Sequence, residues 1–479
     1  MESFKTTSEK DQVNKTPPRI AGYMGKLFGA LVCGAVVALL IWRGSSFVAT
    51  GFCLLFAIAF LLTSGPMLFV LFAIESSIDQ LWFIPVINIS GTAISFVAIF
   101  GVTVFVLEGF YIFSRRVNVF RFDITTPLLL FAFISVVAVF SAPPFFRVQA
   151  GGDFLRIFSG ALLLYMTATV VTTRYKLDLL LHIYLVSLVV PLSLALAQAF
   201  YLLPEVTKVY FIDGHMRLAG LYAHPHHLAK HIILNVPILM FLMAHARQYF
   251  AKMVYGIILL CLIPFLYLTY CRTEWVIFAM QLALWLALKR RWLALGGFLL
   301  LLVAFSWFNP FLREMLYTQP LQTGLSGRLS GEIRLWPLLL RRFLAASFYR
   351  KMFGFGFQSV QSITAAVLGR ELHAHNFILS VLMDTGIVGL SVALWLLWRI
   401  FRNVRQFVAG SSDKYFADFA RLGLIQLTSF ALLGVTQSVI NVPSYMWYWW
   451  GLMGVILGKT VLEQRSRSPA GAASATARC

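Results

Sequence analysis

The chain has 479 residues, 59% of them hydrophobic and 12% charged, with a mean hydropathy of +0.81. A soluble domain carries about 25% charged residues, so these figures exclude an ordinary soluble enzyme; apolar runs that are continuous rather than alternating also exclude a β-barrel. The net charge of +20 is scattered between the apolar runs, which indicates membrane topology rather than nucleic-acid binding.

Residues 1–22 are polar and mixed in charge, and read as a cytoplasmic tail with no cleavable signal peptide. Apolar segments follow near 27–42, 46–62, 66–82, 92–113, 124–142, 154–172, 179–202, 226–247, 250–271, 273–289, 292–309, 376–400, 419–438 and 444–462. They predict an all-α polytopic membrane protein with 12–14 transmembrane helices. The helices divide into an N-terminal set (23–202), a core (203–400) and a C-terminal set (401–463), before a disordered cytoplasmic tail (464–479). Cys33, Cys53, Cys261 and Cys271 fall in or at the ends of apolar runs and read as small core residues.

The short loops 114–121, 174–176, 247–252, 289–291 and 399–407 are basic. That pattern puts them, and both termini, in the cytoplasm. Connections 203–225, 270–274 and 441–444 then face the other side, as does the long stretch 310–375. This stretch carries eight Lys and Arg against three Glu, a bias that topology does not explain outside the cell. Its segment "EIRLWPLLLRRFLAAS" alternates apolar and basic residues at helical spacing and predicts short amphipathic helices lying on the membrane.

Of the nine histidines, His215, His224, His226, His227, His231, His373 and His375 crowd this external face. His227 and His231 have the i,i+4 spacing of two metal ligands. No third ligand and no HExxH accompanies them, so a plain interfacial helix start with Pro225 in its first turn is the competing reading. His373 and His375 would point about 200° apart on a helix. His375 stands at the mouth of segment 376–400, where free N–H groups and the helix dipole suit an anion. Gly386 and Gly389 lie 11 and 14 residues further, on the same helical stripe, so His375 should face a packed interior. Asp384 falls near the opposite side and has no assigned role. Arg217 and Arg272 belong to the same face and suit bidentate phosphate binding. The alternatives are pairing with Asp213 for Arg217, and pairing with Glu274 or snorkelling for Arg272.

The series His375, Asn376, nine residues, Gly386, two residues, Gly389 resembles the bacterial O-antigen ligase and polymerase superfamily. Arg217, Gly220 and Pro225 resemble a second element of those families, with His226 where they often have Asn. Ser326, Gly327, Arg328 and Trp336 resemble a third, and Arg272 a tight external junction. The resemblance spans roughly residues 205–400. It implies a GT-C-like fold and a metal-independent, inverting glycosyltransferase on the periplasmic face of the inner membrane, without a cofactor. The implied donor is a glycan on undecaprenyl diphosphate. The implied acceptor is a sugar hydroxyl: on lipid A–core for a ligase, or on another lipid-linked glycan for an O-antigen or exopolysaccharide polymerase. Protein O-oligosaccharyltransferases share the histidine pattern. By the same resemblance His375 would orient or deprotonate the acceptor. Arg217, Arg272, Arg328 and Asn376 would bind diphosphate or substrate, and Gly386 and Gly389 would pack the helix. Ligase leads because both Arg217 and Arg272 match. A transporter of lipid-linked glycans is the non-enzyme alternative, and would line a central cavity with charge.

Overall fold

The computed structural model describes residues 85–89, 92–202, 210–212, 215–220, 222, 224–308, 335–437, 439 and 443–467. The expected segments 27–42, 46–62 and 66–82, the N-terminal tail, Asp213, and Arg328 with its Ser326–Gly327 turn lie outside the described residues.

A hairpin of β1 (Pro85–Ile89) and β2 (Thr92–Ser95) leads into α1 (Phe96–Ser114). These strands stand where the sequence predicted the start of a helix at 92. Val86, Ile87, Ile89, Thr92 and Ile94 are β-branched and favour extended backbone. Beyond this point every expected apolar segment carries helix. They are α2 (Thr125–Phe140), α3 (Arg147–Val170), the consecutive α4 (Arg174–Ser187) and α5 (Val189–Ala199), and α6 (Pro225–His245). α7 (Tyr249–Leu268), α8 (Arg272–Leu288) and α9 (Trp292–Phe308) follow. A second hairpin, β3 (Tyr210–Ile212) with β4 (His215–Arg217), separates α5 from α6. Three short helices come next: α10 (Leu335–Leu344), α11 (Phe348–Phe353) and α12 (Ser359–Leu368). The chain closes with α13 (Phe377–Gly410), α14 (Lys414–Thr436) and α15 (Pro443–Arg467), the last continuing past the expected tail boundary at 464.

Six helical stretches among the described residues are long and apolar enough to cross a membrane. The chain is therefore helical and polytopic in character. Its centre is aromatic: Tyr184, Tyr222, Phe241, Tyr448 and Trp449 are fully buried. Outward faces are apolar too, with Val106, Phe133, Leu260 and Leu301 exposed. Such a surface is what lipid rather than water would cover.

The bundle has two chemically distinct ends. At one, the basic loops meet acids: Lys289 Nζ lies 2.7 Å and His245 Nε2 3.2 Å from Asp418 Oδ2, and Arg421 also pairs with Asp418. Arg399 pairs with Asp123 at 3.3 Å, and Arg174 with Asp413 at 3.9 Å. The loops expected on one side of the membrane thus gather at one end. The histidine-rich connections gather at the other.

Segment 335–375 covers that second end. α10 is amphipathic, as expected, but its stripe of Leu335, Leu339 and Phe343 is buried against Val360, Ala374, Leu379 and Met383. The stripe therefore packs on protein instead of lying on lipid. Trp336 Nε1 donates to Ala374 O at 2.7 Å and holds the turn before α13.

α13 departs from the predicted stripe in two ways. First, the helix begins at Phe377, with Asn376 as its N-cap, so His375 lies outside it in left-handed backbone at φ 45°. Second, Gly386 is non-helical, at φ 70° and ψ −169°, and breaks the helix. His375, Gly386 and Gly389 therefore do not share one regular helical face. At the break, Phe355 N donates to Met383 O (2.8 Å) and Gly356 N to Asp384 O (3.1 Å). A side chain on Gly386 would strike the Met352 carbonyl, and one on Gly354 the Asp384 carbonyl. The two glycines let the backbones touch. Gly389 does serve close packing, facing Ile134 of α2.

Candidate functional site

The histidine-rich end is assembled from the N-termini of α6, α8 and α13 and the C-terminus of α14. Pro225 opens α6, and the His224 side chain caps it by accepting from His226 N at 3.3 Å. Cys271 precedes α8, after Tyr270 turns the chain at φ 53°. Three elements are tied together by side chains. His226 Nδ1 lies 3.0 Å from Glu274 Oε1, and since a carboxylate only accepts, Nδ1 carries the proton. Gln437, just past α14, donates to the same oxygen at 2.8 Å. α13 joins through Asn376, whose Nδ2 donates to Val435 O at 3.0 Å and whose Oδ1 accepts from Leu379 N at 2.8 Å. Both ends of the Asn376 amide are thus bonded structurally, where the sequence suggested substrate binding.

Arg217 is anchored at this end. Its Nε donates to Thr269 O at 2.9 Å and its Nη2 reaches Cys271 Sγ at 3.2 Å. Gln198 supports the following turn, with Oε1 accepting from the backbone of Ala219 and Gly220 at 2.9 Å each. Arg272 opens α8 and is half-buried. Glu274, its suggested partner, is wholly buried and bonds His226 and Gln437. Lys230 is buried one turn inside α6, within electrostatic reach of Glu274 and Cys271.

His224 connects these groups to His375. Burial holds the His224 imidazole far below its ordinary range, at about 3; His226, Arg217 and Lys230 push it the same way, and His375 lies within the same electrostatic reach. His375, Arg217 and His224 are brought into one electrostatic neighbourhood from three separate stretches of chain. The His373 ring stands edge-on to that of His375 at 6.1 Å, and its Nδ1 is bonded to Gln361 Nε2 at 3.0 Å.

The i,i+4 metal pair does not form. His231 is buried with both ring nitrogens engaged, Nδ1 with Tyr222 Oη at 2.7 Å and Nε2 with Ser187 Oγ at 3.0 Å. It is a core residue, and His227 packs its ring near Tyr222. A different trio, His226, Cys271 and Glu274, offers ligand atoms within 4.8 Å of one another. Arg217 donates into its Cys271 sulfur and Lys230 is buried alongside. The fixed positive charge of Arg217 opposes a divalent cation there.

Asp384 gains a clear structural part. Its Oδ1 accepts from Ser359 N (3.1 Å) and Oγ (2.8 Å), at the first residue of α12. Gln437 and Lys230 were not singled out from the sequence, and Glu274 entered only as a partner for Arg272. The available signal was charge inside or at the edge of apolar segments, which rarely occurs without a use.

No known protein family matches the sequence, and no curated protein matches it.

Proposed function

We propose that the chain is a metal-independent, inverting glycosyltransferase. It transfers a glycan from undecaprenyl diphosphate to a sugar hydroxyl, as an O-antigen ligase acting on lipid A–core. In this reading it has 12–14 membrane spans in the bacterial inner membrane. The basic end is cytoplasmic, by the positive-inside bias, and the histidine-rich end is periplasmic. The observation that carries the reading is the convergence of Arg217, His224 and His375 beside three helix N-termini. Helix N-termini and arginine are the groups that bind phosphate most readily.

The chemistry follows from those groups. The acceptor oxygen attacks the anomeric carbon as the bond to the diphosphate breaks, and the diphosphate leaves with the electron pair. His375 takes the hydroxyl proton. Arg217, Arg272 and the helix ends stabilise the charge that develops on the leaving group. One in-line displacement inverts the anomeric centre. A general base contributes about 10²–10⁴-fold. Most candidate site charges lie at the histidine-rich end rather than along a central path, which favours an enzyme over a transporter.

The test supplies purified protein with lipid-linked glycan and either lipid A–core or no second acceptor. A glycan-capped lipid A, formed equally well in excess chelator, is the expected product. A lengthened lipid-linked chain would assign a polymerase instead, and no product with either acceptor would remove the transferase reading.

A further inference from the structure

Under segment 354–375 lies a cavity of about 50 Å³, lined by His373 but not by Arg217, His224 or His375. At about 10–15 Å³ per water-sized probe, it holds roughly three to five such groups. Its polar lining includes Asp153, Gln358, Gln361, His373 and Asp384, and Phe131, Phe357 and Phe377 supply apolar walls. The lining is acceptor-rich. Gln358 is 3% exposed and donates through Nε2 to Asp153 Oδ2 at 2.7 Å, yet its Oε1 has no hydrogen-bond partner among the described residues. An orphaned buried acceptor costs about 1–3 kcal/mol, and two carboxylates in one small space add mutual repulsion. Such a lining repels phosphate and calls for a ligand that donates several hydrogen bonds and offers C–H faces to aromatic rings. A sugar edge bearing hydroxyls has that chemistry.

We propose that this cavity is the acceptor subsite, taking the hydroxyl-bearing edge of one sugar residue. The proposal rests on the transferase reading and divides its two substrates. The diphosphate lies on the cationic side, with Arg217. The acceptor sugar lies on the acidic side, with Asp153 and Gln358. His375 is linked to both, within electrostatic reach of His224 and in ring contact with His373. Asp153 and Gln358 are binding residues here, and neither touches the proton that moves.

The test uses full-length protein in detergent, with core oligosaccharide released from lipopolysaccharide as the sugar probe and inorganic pyrophosphate as the anion probe. Saturation transfer to sugar ring protons is expected for the wild type. Asp153→Asn, which keeps an acceptor for Gln358, is expected to weaken sugar binding and raise the acceptor KM at least tenfold. Its donor KM and its stabilisation by pyrophosphate should stay unchanged. Ser380 also lines the cavity; Ser380→Leu fills it while leaving both carboxylates in place, and is expected to act alike. If sugar binding and acceptor KM survive in both variants, the subsite is wrong even though transfer stands. If donor and acceptor KM rise together, the effect is general and the subsite is again wrong. If the sugar binds as described but the wild type transfers no glycan, the subsite holds and the transferase reading fails.

Discussion

Replacing Gly386 with alanine tests how the covering segment is locked to α13. At φ 70° and ψ −169°, Gly386 occupies backbone space that costs another residue about 1–3 kcal/mol. The new methyl would also strike the Met352 carbonyl, forcing segment 354–356 away. That movement breaks the bonds from Phe355 N to Met383 O and from Gly356 N to Asp384 O, each contributing about 0.5–1.5 kcal/mol. The sum is about 2–6 kcal/mol. Gly369→Ala is the control: its φ is 68°, but nothing lies within 4 Å of an added methyl, so only the left-handed backbone is penalised, by about 1–2 kcal/mol. Melting of both variants in detergent gives the comparison. Gly386→Ala is expected to melt well below Gly369→Ala and to lose transfer, although Gly386 is far along the chain from His375. Equal melting of the two would refute the docking.

Other outcomes follow from the same geometry. Asn376→Ala removes a cap, at about 1 kcal/mol, and the tie to Val435; Asn376→Asp should recover the cap alone, which paired melts will show. Glu274→Gln breaks the buried pair with His226, and by analogy with broken buried pairs costs about 3–5 kcal/mol; unchanged melting and membrane abundance would contradict that. His224 is neutral in the fold with a pKa of about 3, against about 6.5 when unfolded. The unfolded chain therefore binds the extra proton between those values. The stability this contributes is complete above pH about 6.5 and is lost as pH falls toward 3. His224→Asn, which can still cap α6, should flatten the melting temperature between pH 7 and 5 relative to wild type; an unchanged slope would exclude His224 as its source.

The sequence made the helices from residue 96 onward legible because their apolar runs are long, and it made the two ends legible because basic loops alternate with histidine-rich ones. Details of the site were hidden where backbone conformation overrides periodicity. The stripe joining His375 to Gly386 assumed a continuous helix, whereas Asn376 starts the helix one residue later and Gly386 breaks it. The pair His227 and His231 had ligand spacing, but Tyr222 and Ser187 occupy both nitrogens of His231 from other parts of the chain. The amphipathic 335–344 stripe was plain in the sequence, while its burial against α12 and α13 was not, since a stripe does not say what covers it. Arg217 and His375 fell on one face by topology alone; that both lie within electrostatic reach of His224 emerged only from the packing.

The most direct test of the central claim is glycan transfer by purified wild-type protein and by His375→Ala, with donor bound to both. The account expects wild type to cap lipid A–core. It expects the variant to insert, melt and bind pyrophosphate normally while transfer falls by at least about 10²-fold. A variant that transfers at the wild-type rate would contradict the assignment of His375 as the base.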